Sequence, residues 1–371
     1  MNYVRMPIEI ESPEQMGYDN LEYNLTESSV TDMKLGDLNL NLQDLIVAYG
    51  DHIGHPKLRQ LIAEEAGVKA DDVLITTGAA MALFIVSTTL LGKGDKLIVE
   101  QPNYATNIET PRAIGAKIDF LHLKIEQKFH LSLEEIDQKL TPDTKLLSIT
   151  VPHNPTGTVI PRDDLDSIIK MALEKNVKLL VDETYRDMTF GDKLPVAASL
   201  SSNVISVSSL SKTFGLPGIR VGWLICQDKE LMKKFLAAKE QMIICGSIVD
   251  EEIAFRFMET RQQKLPEILA EIQTRFGIVK SWMKESDDIL EWIEPQGGVV
   301  CFPRIKVKID LEEFYQVLNG QFKTFVGPGH WFEMEKSFMR IGYGWPKSHD
   351  ELRQGLSNVS EAIRYCLEKQ K

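Results

Sequence analysis

From about residue 57 onward, apolar runs of strand length alternate with stretches of helical periodicity, and this rhythm limits the fold more than any other feature of the chain. Such alternation reads as βα units around a mostly parallel sheet. Seven strands are expected, at 73–76, 96–100, 117–121, 145–150, 178–182, 204–208 and 222–225. Several are almost wholly apolar, as strands covered on both faces must be. Helices are expected at 78–91, 106–114, 161–174 and 230–244, the third opened by Pro161, which suits a first helical turn.

The 371 residues exceed the ~250–300 at which a single core stops growing, so a second, smaller unit is expected. The fold class that follows is α/β: a large domain with a mostly parallel seven-stranded sheet between helices, plus a smaller α+β domain. A long amphipathic stretch at 264–284 leads to strand-like segments at 299–303 and 338–341. The expected division is therefore 45–280 for the large domain and 281–371 for the small one. Residues 1–44 have weak periodicity and no βα rhythm, and are expected to pack on the small domain or arch over a cleft.

With 42 Lys+Arg against 54 Asp+Glu the formal charge is −12, which argues against binding nucleic acid or an anionic membrane through a basic surface. No run approaches the roughly 18 apolar residues of a membrane span, and the first residues lack a signal peptide's apolar stretch, so a cytoplasmic location is expected. The cysteines Cys226, Cys245, Cys301 and Cys366 are scattered, with no CxxC pair and no His at zinc-ligand spacing. Neither a metal site nor a disulfide framework is expected.

The sharpest local signal is Ser209-Leu210-Ser211-Lys212-Thr213-Phe214-Gly215-Leu216-Pro217-Gly218-Ile219-Arg220-Val221-Gly222, which puts a lysine just after an apolar strand in a loop dense with Ser and Gly. Open α/β sheets bind ligands at the carboxyl ends of their strands. A lysine amine there can condense with an aldehyde to a Schiff base, while hydroxyls and an arginine hold a phosphate. Further polar turns follow other apolar strands: Thr76-Thr77-Gly78-Ala79-Ala80, Gln101-Pro102-Asn103-Tyr104, Pro152-His153-Asn154-Pro155-Thr156-Gly157 and Val181-Asp182-Glu183-Thr184-Tyr185. The first opens a helix, whose free amides and positive dipole end make an anion site. Taken singly, each of these turns is ordinary in an α/β protein.

The lysine run fills every position of the lysine signature of fold-type I pyridoxal-phosphate enzymes, and the chain resembles the class I/II aminotransferase family over residues 45–345. The resemblance implies pyridoxal 5'-phosphate on Lys212 and a set of roles around it. Asp182 faces the pyridine nitrogen, Tyr185 and Asn154 reach the phenolic oxygen, and Tyr104 stacks on the ring. Gly78, Ala79 and Ala80 cradle the phosphate. This turn lacks the Ser or Thr of many relatives, so Ser209, Ser211 and Arg220 take a larger share. Arg340, in Ser337-Phe338-Met339-Arg340-Ile341-Gly342, holds the substrate carboxylate, with Asn154 beside the substrate. Tyr49 reaches a partner's phosphate, which implies a homodimer with shared active sites.

Residues 23–30 depart from the family pattern, and Glu27 is expected to face the substrate side chain and favour a basic or polar amino acid. The activity implied is ping-pong transfer of an amino group between a small-molecule α-amino acid and an α-keto acid. The alternative enzyme is a β-eliminating C–S lyase, since one fold hosts several Cα reactions. A non-catalytic, cofactor-sensing regulator is a third reading. Such a regulator would be expected to add a DNA-binding domain, and no obvious one is expected in the acidic stretch of about 45 residues before Tyr49.

Overall fold

The computed structural model describes residues 1–18 and 21–369. A short strand, β1 (Tyr23–Leu25), precedes seven longer ones: β2 (Val73–Thr77), β3 (Lys96–Gln101), β4 (Lys117–His122), β5 (Thr144–Thr150), β6 (Lys178–Asp182), β7 (Val204–Ser209) and β8 (Val221–Cys226). These seven form one sheet in the order β2-β8-β7-β6-β5-β3-β4, parallel throughout except for β8, which runs antiparallel to both neighbours. All seven expected strands are present, each within one residue of the expected ends.

Alternation along the strands explains why the sheet is covered on both faces. Leu97 and Val99 of β3 pack with Leu180, Ile205 and Val207 on one face, while Ile98 packs with Leu147, Leu179 and Val181 on the other. The first face is closed by the helix Gly78–Leu90, which is apolar nearly all round because the helices Thr106–Ile114 and Lys229–Met242 cover its outer side. The second is closed by Arg162–Glu174 and, under β2 and β8, by Pro56–Ala66.

The remaining strands are β9 (Leu290–Glu291), β10 (Val300–Cys301), β11 (Arg304–Ile305), β12 (Thr324–Pro328) and β13 (Met339–Gly342). A four-stranded sheet runs β1-β12-β13-β10, with β1 parallel to β12. Neither β1 nor β12 carries a pattern that stands out in sequence, and β1 becomes a strand by pairing across 300 residues of chain. The stretch expected to be helical at 264–284 belongs to a 38-residue helix, Ile248–Glu285. Ser247 caps it by accepting from the Asp250 N–H, and Asp250 and Glu251 sit in the first turn, where the dipole favours them. Its Phe255 and Phe257 join the core beside the large sheet, while Phe276 and Val279 join that beside the small one.

Strand register positions the site. Thr150 pairs with Asp182 across β5 and β6, Ser209 with Gly222 across β7 and β8, and Gly222 with Thr76 across β8 and β2. The polar turns that end five strands therefore share one edge of the sheet.

Two outcomes follow for stability. Leu224 is fully buried at the centre of β8, so Leu224→Ala should cost about 3 kcal/mol, read as a lower urea midpoint. Glu183, just past β6, is pushed up to about 7 by burial, against the Ala197 N–H and the Ser206 hydroxyl, which favour its charged form. The native state then holds that proton more tightly than the unfolded chain, so stability falls as pH rises from the ordinary glutamate range to about 7. Melting temperatures across that range should fall less steeply in Glu183→Gln than in the parent protein.

Candidate active site

A cavity of about 340 Å³ opens at this edge. Eleven of the residues singled out from sequence line it: Glu27, Ala79, Ala80, Tyr104, Asn154, Asp182, Tyr185, Ser209, Ser211, Lys212 and Arg220. They arrive from six separate turns; the register described above brings together those of the large sheet, and Glu27 joins them from the turn after β1.

Lys212 sits in the turn after β7. Its Nζ has no hydrogen bond or ion pair among the described residues, so the amine is free to react. Burial lowers its pKa, Glu27 works against that shift, and Arg340 and Arg220 add to it. The neutral, nucleophilic amine is thereby more accessible. Asp182 ends β6 and is buried; its Oδ1 accepts from the Thr184 N–H at 3.0 Å and the Thr184 hydroxyl at 2.6 Å. Burial raises its pKa, while the Thr184 bonds and the Lys212 charge lower it.

An anion site lies at the other side. The helix Gly78–Leu90 begins with Thr77 as its cap, and no side chain bonds its first-turn amides. The guanidinium of Arg220 stands over this turn: a Cβ added at Gly78 would lie 2.6 Å from its Nη2. Gly222 is required by close approach, because a Cβ there would meet the Gly78 carbonyl carbon at 2.5 Å and the Ala79 nitrogen at 2.6 Å. Ser209 and Ser211 are buried alongside, with the Ser211 N–H donating to Ser209 Oγ at 3.3 Å.

Tyr185 and Asn154 line the far wall, while Arg340, like Gly78, does not line the cavity itself and lies behind Asn154. Arg340 on β13 is only 4% exposed. It donates from Nη1 to Asn154 Oδ1 at 3.2 Å and from Nη2 to the Thr26 carbonyl at 2.7 Å, and its guanidinium lies 4.9 Å from the Phe332 ring centre. Its Nε finds no partner among the described residues, an open donor on a buried cation and therefore a ready anion anchor. Tyr185 donates its hydroxyl to the Ser28 carbonyl at 3.0 Å. Burial pushes its pKa up to about 12, against the Arg340 charge and the Ser28 bond, which lower it.

Tyr49 stands apart. It is 85% exposed and does not line the cavity. His153, given no chemical task from sequence, is buried against Thr156 and held neutral by burial, its pKa lowered to about 3. Sequence reasoning missed Glu9, Glu14, Tyr18 and Asp32, which also line the cavity. They lie in the irregular N-terminal segment, where no periodicity or motif marks them, and only tertiary packing brings them here.

The groups present fit a phosphorylated aromatic aldehyde. An amide-lined helix end and Arg220 suit its phosphate, Tyr104 its ring face, Asp182 a ring nitrogen, and the unpartnered Lys212 amine its carbonyl carbon. Residues 22–357 match the family described as aminotransferase class I and II. A capreomycidine synthase from Streptomyces vinaceus is 26% identical over 358 residues, 93% of this chain and 91% of that protein. An aspartate aminotransferase from Sulfurisphaera tokodaii is 26% identical over 340 residues, 87% of this chain and 84% of the relative. The crystal structure of a PLP-dependent aminotransferase from Streptococcus suis superposes with a TM-score of 0.89 at 26% identity, covering 98% of this chain and 99% of that one. With the family pattern running from residue 22 to residue 357 and its groups gathered at one sheet edge, the chain belongs to the class I and II aminotransferase family and is a pyridoxal-phosphate-dependent enzyme of fold type I.

Proposed function

We propose that this enzyme is an α-amino acid aminotransferase, working in two half-reactions with an α-keto acid as the second substrate. The observation that carries the reading is an unpartnered lysine amine in the cavity wall together with a buried arginine, its Nε unpaired, that bonds the lining residue Asn154 from behind that wall. Arg340 and Asn154 hold the substrate carboxylate, which fixes the orientation of the bonds at Cα. Lys212 Nζ takes the proton from Cα and later returns it, a task suited to an amine whose pKa burial has lowered. Asp182 would pair with the ring nitrogen of the cofactor and favour its protonated form. The cofactor supplies an electron sink for the pair left at Cα. Gly78, Ala79, Ala80, Ser209, Ser211 and Arg220 would anchor its phosphate, Tyr104 would cover its ring, and Asn154 and Tyr185 would serve its phenolic oxygen, the Tyr185 hydroxyl turning to it from the Ser28 carbonyl.

The assembly we propose is a homodimer in which Tyr49 completes the partner's phosphate site. Tyr49, Ile46 and Val47 are each more than three-quarters exposed in the single chain, an apolar run that a second copy would cover. Light scattering should give twice the 42.0 kDa chain mass. A monomer that turns over amino acids at full rate would remove Tyr49 from the site.

Mixing the holoenzyme with single amino acids, and following its visible absorbance and the products by mass spectrometry, tests the reaction. Transamination bleaches the band once per site without an acceptor and recovers it when a keto acid is added. Continuous release of keto acid and ammonia with no acceptor would replace this reading with elimination. Lys212→Ala should lose the band and at least about 10³-fold in turnover. Gly222→Ala should weaken cofactor affinity, measured by equilibrium dialysis, because its methyl displaces the turn at Gly78 and Ala79.

A further inference from the structure

We infer that the site selects an α-amino acid whose side chain carries a positive charge, a guanidinium or an ammonium, with Glu27 as the residue that pairs with it; this rests on the aminotransferase reading above. The argument starts from the charges that the reaction leaves over. Arg220 and the helix end are taken by a phosphate, Asp182 by a ring nitrogen, Arg340 by the substrate carboxylate, and Lys212 acts as a neutral base. Four carboxylates in the same cavity wall remain: Glu9, Glu14, Glu27 and Asp32. None has an ion-pair partner among the described residues. Glu27 accepts from the Tyr18 hydroxyl at 3.0 Å and Asp32 from the Trp345 indole at 2.9 Å, both neutral donors, so no bonded cation cancels either acid.

These four differ in depth. Glu9, Glu14 and Asp32 stand at the exposed rim, while Glu27 is half-buried. The rim acids therefore attract a cation by a field that salt screens, and the deeper one can form a charge-assisted hydrogen bond with it.

The independent observation is the buried, unpartnered Nε of Arg340. Its Nη2 bonds the carbonyl of Thr26, the residue just before Glu27, so the carboxylate anchor and the acid are adjacent. Glu27 is also held in place. A Cβ at Gly342 would lie 1.7 Å from the Glu27 carbonyl oxygen, so the strand after Arg340 passes against it only because that position is glycine. Further along, Val30 N–H donates to the Lys212 carbonyl at 3.1 Å and Thr31 N–H to that of Gly344 at 3.1 Å. A preorganised acid beside the anchor discriminates against a second substrate carboxylate and gains little from an uncharged side chain.

Rates of bleaching of the holoenzyme by arginine and its neutral near-isostere citrulline, by lysine and norleucine, and by aspartate read this directly. The cationic member of each pair should be favoured by about tenfold or more in kcat/KM, with aspartate slowest. The arginine-to-citrulline ratio should collapse in Glu27→Gln. In the parent enzyme it should shrink as salt is raised, a measurement that stands even where the variant does not fold. Equal rates for arginine and citrulline, or a ratio unmoved both by Glu27→Gln and by salt, overturn the inference while leaving transamination intact. If no amino acid bleaches the band, the aminotransferase reading itself fails. Calorimetric binding of arginine against citrulline to the holoenzyme then decides the charge preference separately, equal affinity refuting it.

Discussion

The hydrogen-bond register of the large sheet is the constraint on which the rest depends. Parallel pairing of β5, β6 and β7, with β8 folded back between β7 and β2, sets Thr150 beside Asp182 and Ser209 beside Gly222. Because side chains alternate between faces, a slip of one residue in any strand would move its apolar set to the wrong core and its polar terminus off the edge. The same burial that fixes register thus fixes the site. Cores above and below the sheet leave no freedom for Asp182 or Lys212 to sit elsewhere.

That rigid edge also sets the electrostatics. Lys212, Asp182 and Arg340 share one poorly solvated region, and for each of them burial is the leading cause of the pKa shift. Each is pushed toward its neutral form, and the opposite charges nearby push back. The site is therefore a set of groups balanced against one another, which a cofactor phosphate, a ring nitrogen and a substrate carboxylate would complete. The surplus of carboxylates in the N-terminal segment is what such a balance leaves unmatched.

Much of the large sheet was legible from residues alone. Strands buried on both faces must be apolar along their length, so β2 to β8 stand out against polar turns, and the turns themselves carry the lysine, aspartate and asparagine that line the cavity. The small sheet was harder to read. β10 is two residues long, and β1 gains its hydrogen bonds only by lying beside β12, so neither carries a periodic signal. The long helix was recognised over its second half, while its first half, capped by Ser247, begins 16 residues earlier than expected. Glu9, Glu14 and Asp32 gave no hint of a site because their meaning lies in what they face.

By itself, the sequence determined the α/β class, the seven strands and the family, because those rest on local patterning and on a contiguous run around Lys212 that survives translation into any register. Only the tertiary structure decided that Arg340 bonds Asn154 across 186 residues, that Tyr185 spends its hydroxyl on Ser28, and that an acidic segment walls the cavity. Those contacts join parts of the chain that are distant in sequence, and their partners are chosen by packing and by the need to satisfy buried polar groups, neither of which leaves a local mark.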